Sequence, residues 1–220
     1  MLVCSAMRMT RKEFDHRLKD GTLALTFIGM SGIGKTYHAK RLKRLGFKYI
    51  SCDDLIAGQI KLRNVTDVGL WLGQPYTPGY KKKERMYLKL EEKMTRAAIT
   101  RISRNTIVDS TGSIIYLSSA LRKHVKKRML VVYFRAEPDI YERMLTLYLA
   151  DPKPVVWGSS FKQKKGENPR KALARSFSGL LDFRAKRYTN LADVTIPAKL
   201  IRNGFGTPKR LLRLTRDRLK

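Results

Sequence analysis

The sequence predicts an open α/β fold: a parallel sheet of five strands with helices on both faces. Three observations carry this expectation. Short apolar, strand-like runs alternate along the chain with stretches of helical spacing, the pattern of strand–helix–strand crossovers. The string Gly29-Met30-Ser31-Gly32-Ile33-Gly34-Lys35-Thr36 fits G-x-x-x-x-G-K-[ST], the spelling of a phosphate-binding loop, and joins one such run to one such stretch. Asp53, Asp109 and the string 110–113 each lie at or just after the end of a strand-like run, where an open α/β sheet binds ligands.

Residues 1–20 read as a short polar leader with a helix over 11–18. The apolar run 23–28 is the first strand, and the amphipathic stretch 35–45 is the helix after the glycine-rich loop. The second strand, 47–51, ends at Cys52-Asp53-Asp54, where Asp53 or Asp54 can cap a helix through Leu55, Ile56 and Ile60. Gly69, Gly73, Pro75, Pro78 and Gly79 make 64–80 a loop or broken helix. Tyr87, Leu90, Met94, Ala97, Ala98 and Ile102 recur at helical spacing and predict a long helix over 81–104. Then come a third strand at 106–109, a helix over 118–127 and the most β-like run of the chain, 129–134. Pro138 suits the first turn of a helix reaching about 150. The stretch 151–170, with Pro152, Pro154, Gly158, Ser159, Ser160 and a basic run, reads as an insertion, a mobile lid over about 150–168. A helix over 170–190, weakened by Gly179, precedes a fifth strand at 194–196. Thr207-Pro208 starts a last, very basic helix.

A chain of 220 residues suits one domain, and 43 % hydrophobic residues are ordinary for a globular protein. No apolar run approaches the ~18 residues that cross a membrane. The apolar part of 1–8 is too short for a secretory signal. Two cysteines, Cys4 and Cys52, make neither a disulfide framework nor a metal cluster. The expectation is a cytoplasmic monomer that works on a small molecule, without a membrane partner. Forty-seven Lys and Arg face eighteen Asp and Glu, a formal +29. Such a field attracts anions, and nucleic acid is among them. The cations are spread along the chain without an aromatic-rich nucleic-acid motif, so a generally basic surface is the favoured reading.

The glycine-rich loop implies ATP. Gly29, Gly32 and Gly34 let backbone N–H groups approach an anion without a Cβ in the way, with Ser31 and Ile33 adding amides. Lys35 would reach the β- and γ-phosphates, the Thr36 hydroxyl would hold Mg²⁺, and the following helix points its positive end at the same place. Asp109, closing an apolar strand, reads as a second Mg²⁺ residue of the Walker B kind. Asp53 reads as the group that orients or deprotonates an acceptor hydroxyl. Ser110, Thr111, Gly112 and Ser113 could offer donors to a substrate, or cap the helix beyond. Lys153, Arg143 and Arg184 lie in or beside the insertion, where a closing lid needs positive charge. His16, His38 and His124 have no ligand spacing and read as structural or exposed. Trp71 and Trp157 read as packing residues.

With these residues in view the chain resembles the shikimate kinases, small P-loop kinases of the nucleoside-monophosphate-kinase type, over roughly 23–218. The resemblance implies a three-layer α/β/α P-loop kinase and transfer of the γ-phosphate of ATP to a hydroxyl of a carboxylated polyol. Tyr49-Ile50-Ser51-Cys52-Asp53 is similar to the family's D-x-D element. Asp53 takes the second aspartate's place as catalytic base, and Ser51 replaces the first. Asp109 on the neighbouring strand could supply the missing carboxylate. Thr111-Gly112-Ser113 resembles a reduced T-G-G-G substrate loop. Tyr80-Lys81-Lys82-Lys83-Glu84 resembles F-R-x-x-E, with Lys81 where the family grips a carboxylate by arginine. Arg184-Ala185-Lys186-Arg187-Tyr188, with Ala192-Asp193, resembles R-x-x-x-Y-x-x-x-A-D, which puts Arg184 on the second substrate arginine. Lys153 stands near the catalytic lid arginine, and 202–208, starting at Arg202, resembles the loop bordering adenine. The resemblance leaves other acceptors open: a sugar acid, a nucleoside or a 5′-hydroxyl of nucleic acid. It also leaves open a nucleotide-binding protein without efficient turnover.

Overall fold

The computed structural model describes residues 9–151, 153–202 and 207–220. Cys4, the 1–8 segment tested for a secretory signal, Pro152 and part of the expected adenine-bordering loop lie outside them.

Five strands, β1 (Ala24–Ile28), β2 (Lys48–Ser51), β3 (Thr106–Asp109), β4 (Leu130–Arg135) and β5 (Val194–Pro197), form one parallel sheet in the order β2-β3-β1-β4-β5. β1 and β3 are buried along their whole length, as expected for strands covered on both faces. Strand order reverses around β1, so the turns after β1, β2 and β3 converge at one edge.

Helices flank this sheet. α1 (Arg11–Lys19) and α2 (Lys35–Leu42) both pack against α9 (Pro208–Arg216). α3 (Cys52–Gln59) and α4 (Val65–Leu72) pack against α5 (Tyr80–Thr100), which also meets α6 (Ser119–Arg128). α7 (Tyr141–Ala150) lies against α8 (Pro169–Leu191). No helix among the described residues is long and apolar enough to cross a membrane.

Local chemistry explains most boundaries. The first crossover helix is shorter than 35–45, because its last turn tightens to a 3₁₀ turn, Lys43–Leu45, closed by Gly46 at φ 82°. Thr207 caps α9 and Pro208 opens it. One expectation is corrected. Ser51, not Asp53 or Asp54, caps α3: its hydroxyl accepts the Asp54 N–H at 3.0 Å, leaving both carboxylates in the first turn. Residues 153–168 form no helix or strand, and their centre is packed. Val155, Val156 and Trp157 are buried in the core, Trp157 completely. Trp71 is half-buried against the same core, so packing accounts for both tryptophans.

Candidate active site

The loop after β1 is built on backbone conformations that only glycine adopts readily. Gly29, Gly32 and Gly34 have φ of 140°, 80° and 102°. A Cβ on Gly29 would stand 2.8 Å from the Phe134 carbonyl oxygen. Lys35 opens α2 and folds back inside the loop, where its ammonium donates to the carbonyls of Gly29 at 3.0 Å and Met30 at 3.1 Å. Burial pushes this ammonium's pKa down, and the nearby carboxylates of Asp109 and Asp53 oppose the shift.

Asp109 ends β3 and is buried. It takes a hydrogen bond from the Tyr49 hydroxyl at 3.2 Å and lies near the Thr36 side chain, which helps hold its pKa down. Its Oδ1 is buried without a hydrogen-bond partner among the described residues. A buried carboxylate oxygen with spare acceptor capacity, beside the Thr36 hydroxyl, suits the water shell of Mg²⁺, which needs only one or two protein oxygens. Burial raises the Asp109 pKa, against the pull of Lys35. Asp53 sits in the first turn of α3, half-buried, and its pKa rises to about 6, first from desolvation and then from the Asp109 charge.

One cavity of about 330 Å³ joins these parts. The phosphate loop lines it through Ser31, Gly32, Gly34, Lys35 and Thr36. Asp53, Gly112 and Lys153 line it too, among the side chains of Tyr87, Met144, Tyr148 and Phe177. The Lys153 ammonium is 2.6 Å from Asp151 and donates to the Thr66 hydroxyl at 2.7 Å. A second cavity of about 240 Å³ adjoins the loop, lined by Gly32, Ile33, Gly34, Tyr37, Arg143 and Arg202.

Three predicted acceptor residues lie elsewhere. Thr111 is buried outside the cavity lining; its hydroxyl donates to Glu91, leaving Gly112 to face the cavity. Lys81 is largely exposed and bonds Glu84 and the Gly158 carbonyl. Arg184 is buried behind the cavity wall, donating to the carbonyls of Gly112 at 3.1 Å and Val156 at 2.6 Å. The physical reason is the segment 155–158. Glu84 accepts the N–H groups of Trp157 at 2.8 Å and Gly158 at 2.9 Å, and the Tyr80 hydroxyl donates to the Val155 carbonyl at 2.8 Å. The segment is thus a strap, and Lys81 and Arg184 hold two of its carbonyls. Of the histidines, His16 and His124 are exposed. His38 is buried, with its pKa pushed down to about 4 by desolvation.

Sequence reasoning missed Glu91. It is fully buried on α5, and its two oxygens accept the hydroxyls of Thr111 and Ser113, the latter at 2.5 Å. Burial raises its pKa to about 7 despite those hydrogen bonds. Its trace in the sequence is an acid on the buried stripe Tyr87, Glu91, Met94, Ala98. The clasp fixes Gly112 against the phosphate loop: a Cβ there would stand 3.3 Å from Arg184 Nη1 and 3.6 Å from the Ser31 nitrogen.

No protein-family model matches this sequence, and no curated protein matches it. Among solved structures it is similar to a shikimate kinase from Bacteroides thetaiotaomicron, with a TM-score of 0.61 and 18 % identity over 87 % of this chain and 97 % of that one. A shikimate kinase from Acinetobacter baumannii in complex with shikimate gives a TM-score of 0.57 and 20 % identity, over 89 % of this chain and 93 % of that one. One from Aquifex aeolicus gives 0.54 and 13 %, over 87 % and 92 %. The chain has the P-loop kinase α/β/α fold.

Proposed function

We propose that this chain is an ATP-dependent phosphotransferase that acts on a hydroxyl group of a small molecule. The observation that carries this reading is the single cavity lined at once by the phosphate loop with Lys35 and by the carboxylate of Asp53. The loop's amides, the amino end of α2 and Lys35 would bind the phosphates of ATP, with Arg202 and Arg143 at the second cavity bordering the base. Thr36 and Asp109 would hold Mg²⁺, which when bound neutralises charge on the phosphoryl oxygens.

Asp53 would then act on the acceptor. At neutral pH its carboxyl, with a pKa of about 6, is ionised and still basic enough to accept a hydroxyl proton. The acceptor oxygen bonds to the γ-phosphorus, the bond to the ADP oxygen breaks, and Asp53 takes the proton. Lys153, on the same cavity, offsets negative charge while the strap and the aromatic wall keep water out. A carboxylate grip by Lys81 and Arg184 finds no support in their positions on the strap.

The test is an ADP-release screen over small alcohols, with Lys35→Ala and Asp53→Asn beside the parent protein. The expected result is acceptor-dependent ADP release that both variants reduce at least a hundredfold. Acceptor-dependent turnover unchanged by Lys35→Ala would overturn the reading.

A further inference from the structure

We infer that the phosphate acceptor is an uncharged alcohol with a flat apolar face, of the nucleoside class, and not a carboxylated polyol; this deepens the kinase reading above and rests on it. The first argument is charge. Beyond the phosphate loop, Lys153 is the one cation among the described residues lining the cavity, and its ammonium is already held by Asp151 at 2.6 Å. Asp53 and Asp151 line the same space, so this part of the cavity carries two carboxylates against one ammonium. A ligand carboxylate would be desolvated beside like charges, with Lys153 shared between Asp151 and the transferring phosphoryl group.

The second argument is the strap. Two further cations stand close by, but each is turned to the strap, although the Arg184 Nε–H keeps no partner among the described residues. Lys81 bonds the Gly158 carbonyl, and Arg184 bonds the Val156 carbonyl at 2.6 Å and the Gly112 carbonyl at 3.1 Å. The strap is itself anchored by Glu84 and the buried Trp157, so its carbonyls are fixed partners of these cations.

The third argument is the remaining wall. Tyr148 and Phe177 are stacked, with ring centroids 5.7 Å apart and planes 17° apart, and both line the cavity. The Tyr148 hydroxyl donates to Gln74 at 2.5 Å, which holds its ring in place before any ligand arrives. Both rings are largely buried, packed on each other and on Trp157, so what they offer the cavity is a fixed apolar wall against which a flat ring can lie at little ordering cost, while Asp53 accepts the hydrogen bond of the reacting hydroxyl.

The test compares ADP release and direct binding for adenosine, uridine and thymidine against shikimate and gluconate, with MgATP binding measured on the same protein. The expected kcat/KM for the best nucleoside exceeds that for either carboxylate at least tenfold. Phe177→Leu, which keeps apolar bulk and removes the ring, should raise the nucleoside KM at least tenfold and leave MgATP affinity unchanged. Asp151→Asn, which releases Lys153, should improve carboxylate binding at least tenfold. Shikimate or gluconate turning over as well as the nucleosides would overturn the inference. So would failure of both classes in a protein that binds MgATP, or Phe177→Leu and Asp151→Asn variants that fold yet change neither quantity. Loss of MgATP binding in the parent protein would instead overturn the kinase reading itself, and the acceptor assignment with it.

Discussion

Ser51 and Asp109 are register partners across the parallel strands β2 and β3. Neighbours in register point to the same face, so the position where the resemblance expects a first aspartate, now Ser51, has the carboxylate of Asp109 directly beside it. One carboxylate at this point of the sheet edge is thus kept, contributed by the adjacent strand. Asp109→Asn should therefore raise the Mg²⁺ concentration for half-maximal ADP release at least tenfold. Ser51→Asp in that background should restore it, since Asp also caps a helix. Ser51→Asp alone should lower thermal stability, because it sets two buried carboxylates side by side. A wild-type Mg²⁺ requirement in Asp109→Asn would remove Asp109 from the account.

Asp53 couples activity to pH with a definite sign. Its pKa in the folded chain, about 6, lies above the ordinary carboxylate value of 3.8. The base is ionised above about pH 6, so kcat/KM should fall about tenfold per unit as pH drops below that value. Stability runs the other way. A raised acid stabilises the fold when protonated, and that contribution is lost as pH rises through about 6. Asp53→Asn should abolish the activity limb and raise the melting temperature at pH 7.5. An acid limb that survives this substitution would assign the proton acceptor elsewhere.

His38 carries the opposite dependence. It is buried beside Phe134, with ring centroids 5.7 Å apart, and its pKa of about 4 lies below the free value of 6.5. The unfolded chain then binds more protons between those values, and stability falls as pH drops from 6.5 towards 4. Urea denaturation across that range should show the loss, and His38→Phe should flatten it. An equal acid sensitivity in the variant would mean that carboxylates dominate.

Glu91 holds the turn that presents Gly112. Glu91→Ala leaves the buried hydroxyls of Thr111 and Ser113 only each other, at 3.3 Å, so at least one donor is orphaned and the protein should lose about 1–3 kcal/mol. Glu91→Gln keeps one acceptor oxygen and should cost less. Urea unfolding that ranks the two variants in the reverse order would show that charge, not hydrogen bonding, sets Glu91's contribution.

The sheet was legible because its signals are local. Residues 24–28, 106–109 and 130–134 are short buried runs, and each is followed by turn chemistry, the first by a glycine-rich loop whose spelling names its ligand. The positions of Asp109, closing a buried strand, and of Asp53, just beyond the end of another, follow from the same local signals. The acceptor side was not. Lys81 and Arg184 fit a pattern in the sequence, but the partners they take depend on the path of 155–158, which local spacing cannot fix. Glu91 hid in a helical stripe otherwise read as apolar. Ser51 outcompeted Asp53 and Asp54 for the cap because it sits one residue before the first turn, where its oxygen reaches the Asp54 N–H.

The central claim is that Gly29, Gly34 and Lys35 shape a nucleotide phosphate site at the mouth of the sheet. Calorimetric titration of the full chain with ATP in the presence of Mg²⁺ tests it most directly. The account predicts saturable one-to-one binding that weakens at least a hundredfold in a folded Lys35→Ala variant; no measurable binding, or binding indifferent to Lys35, would contradict it.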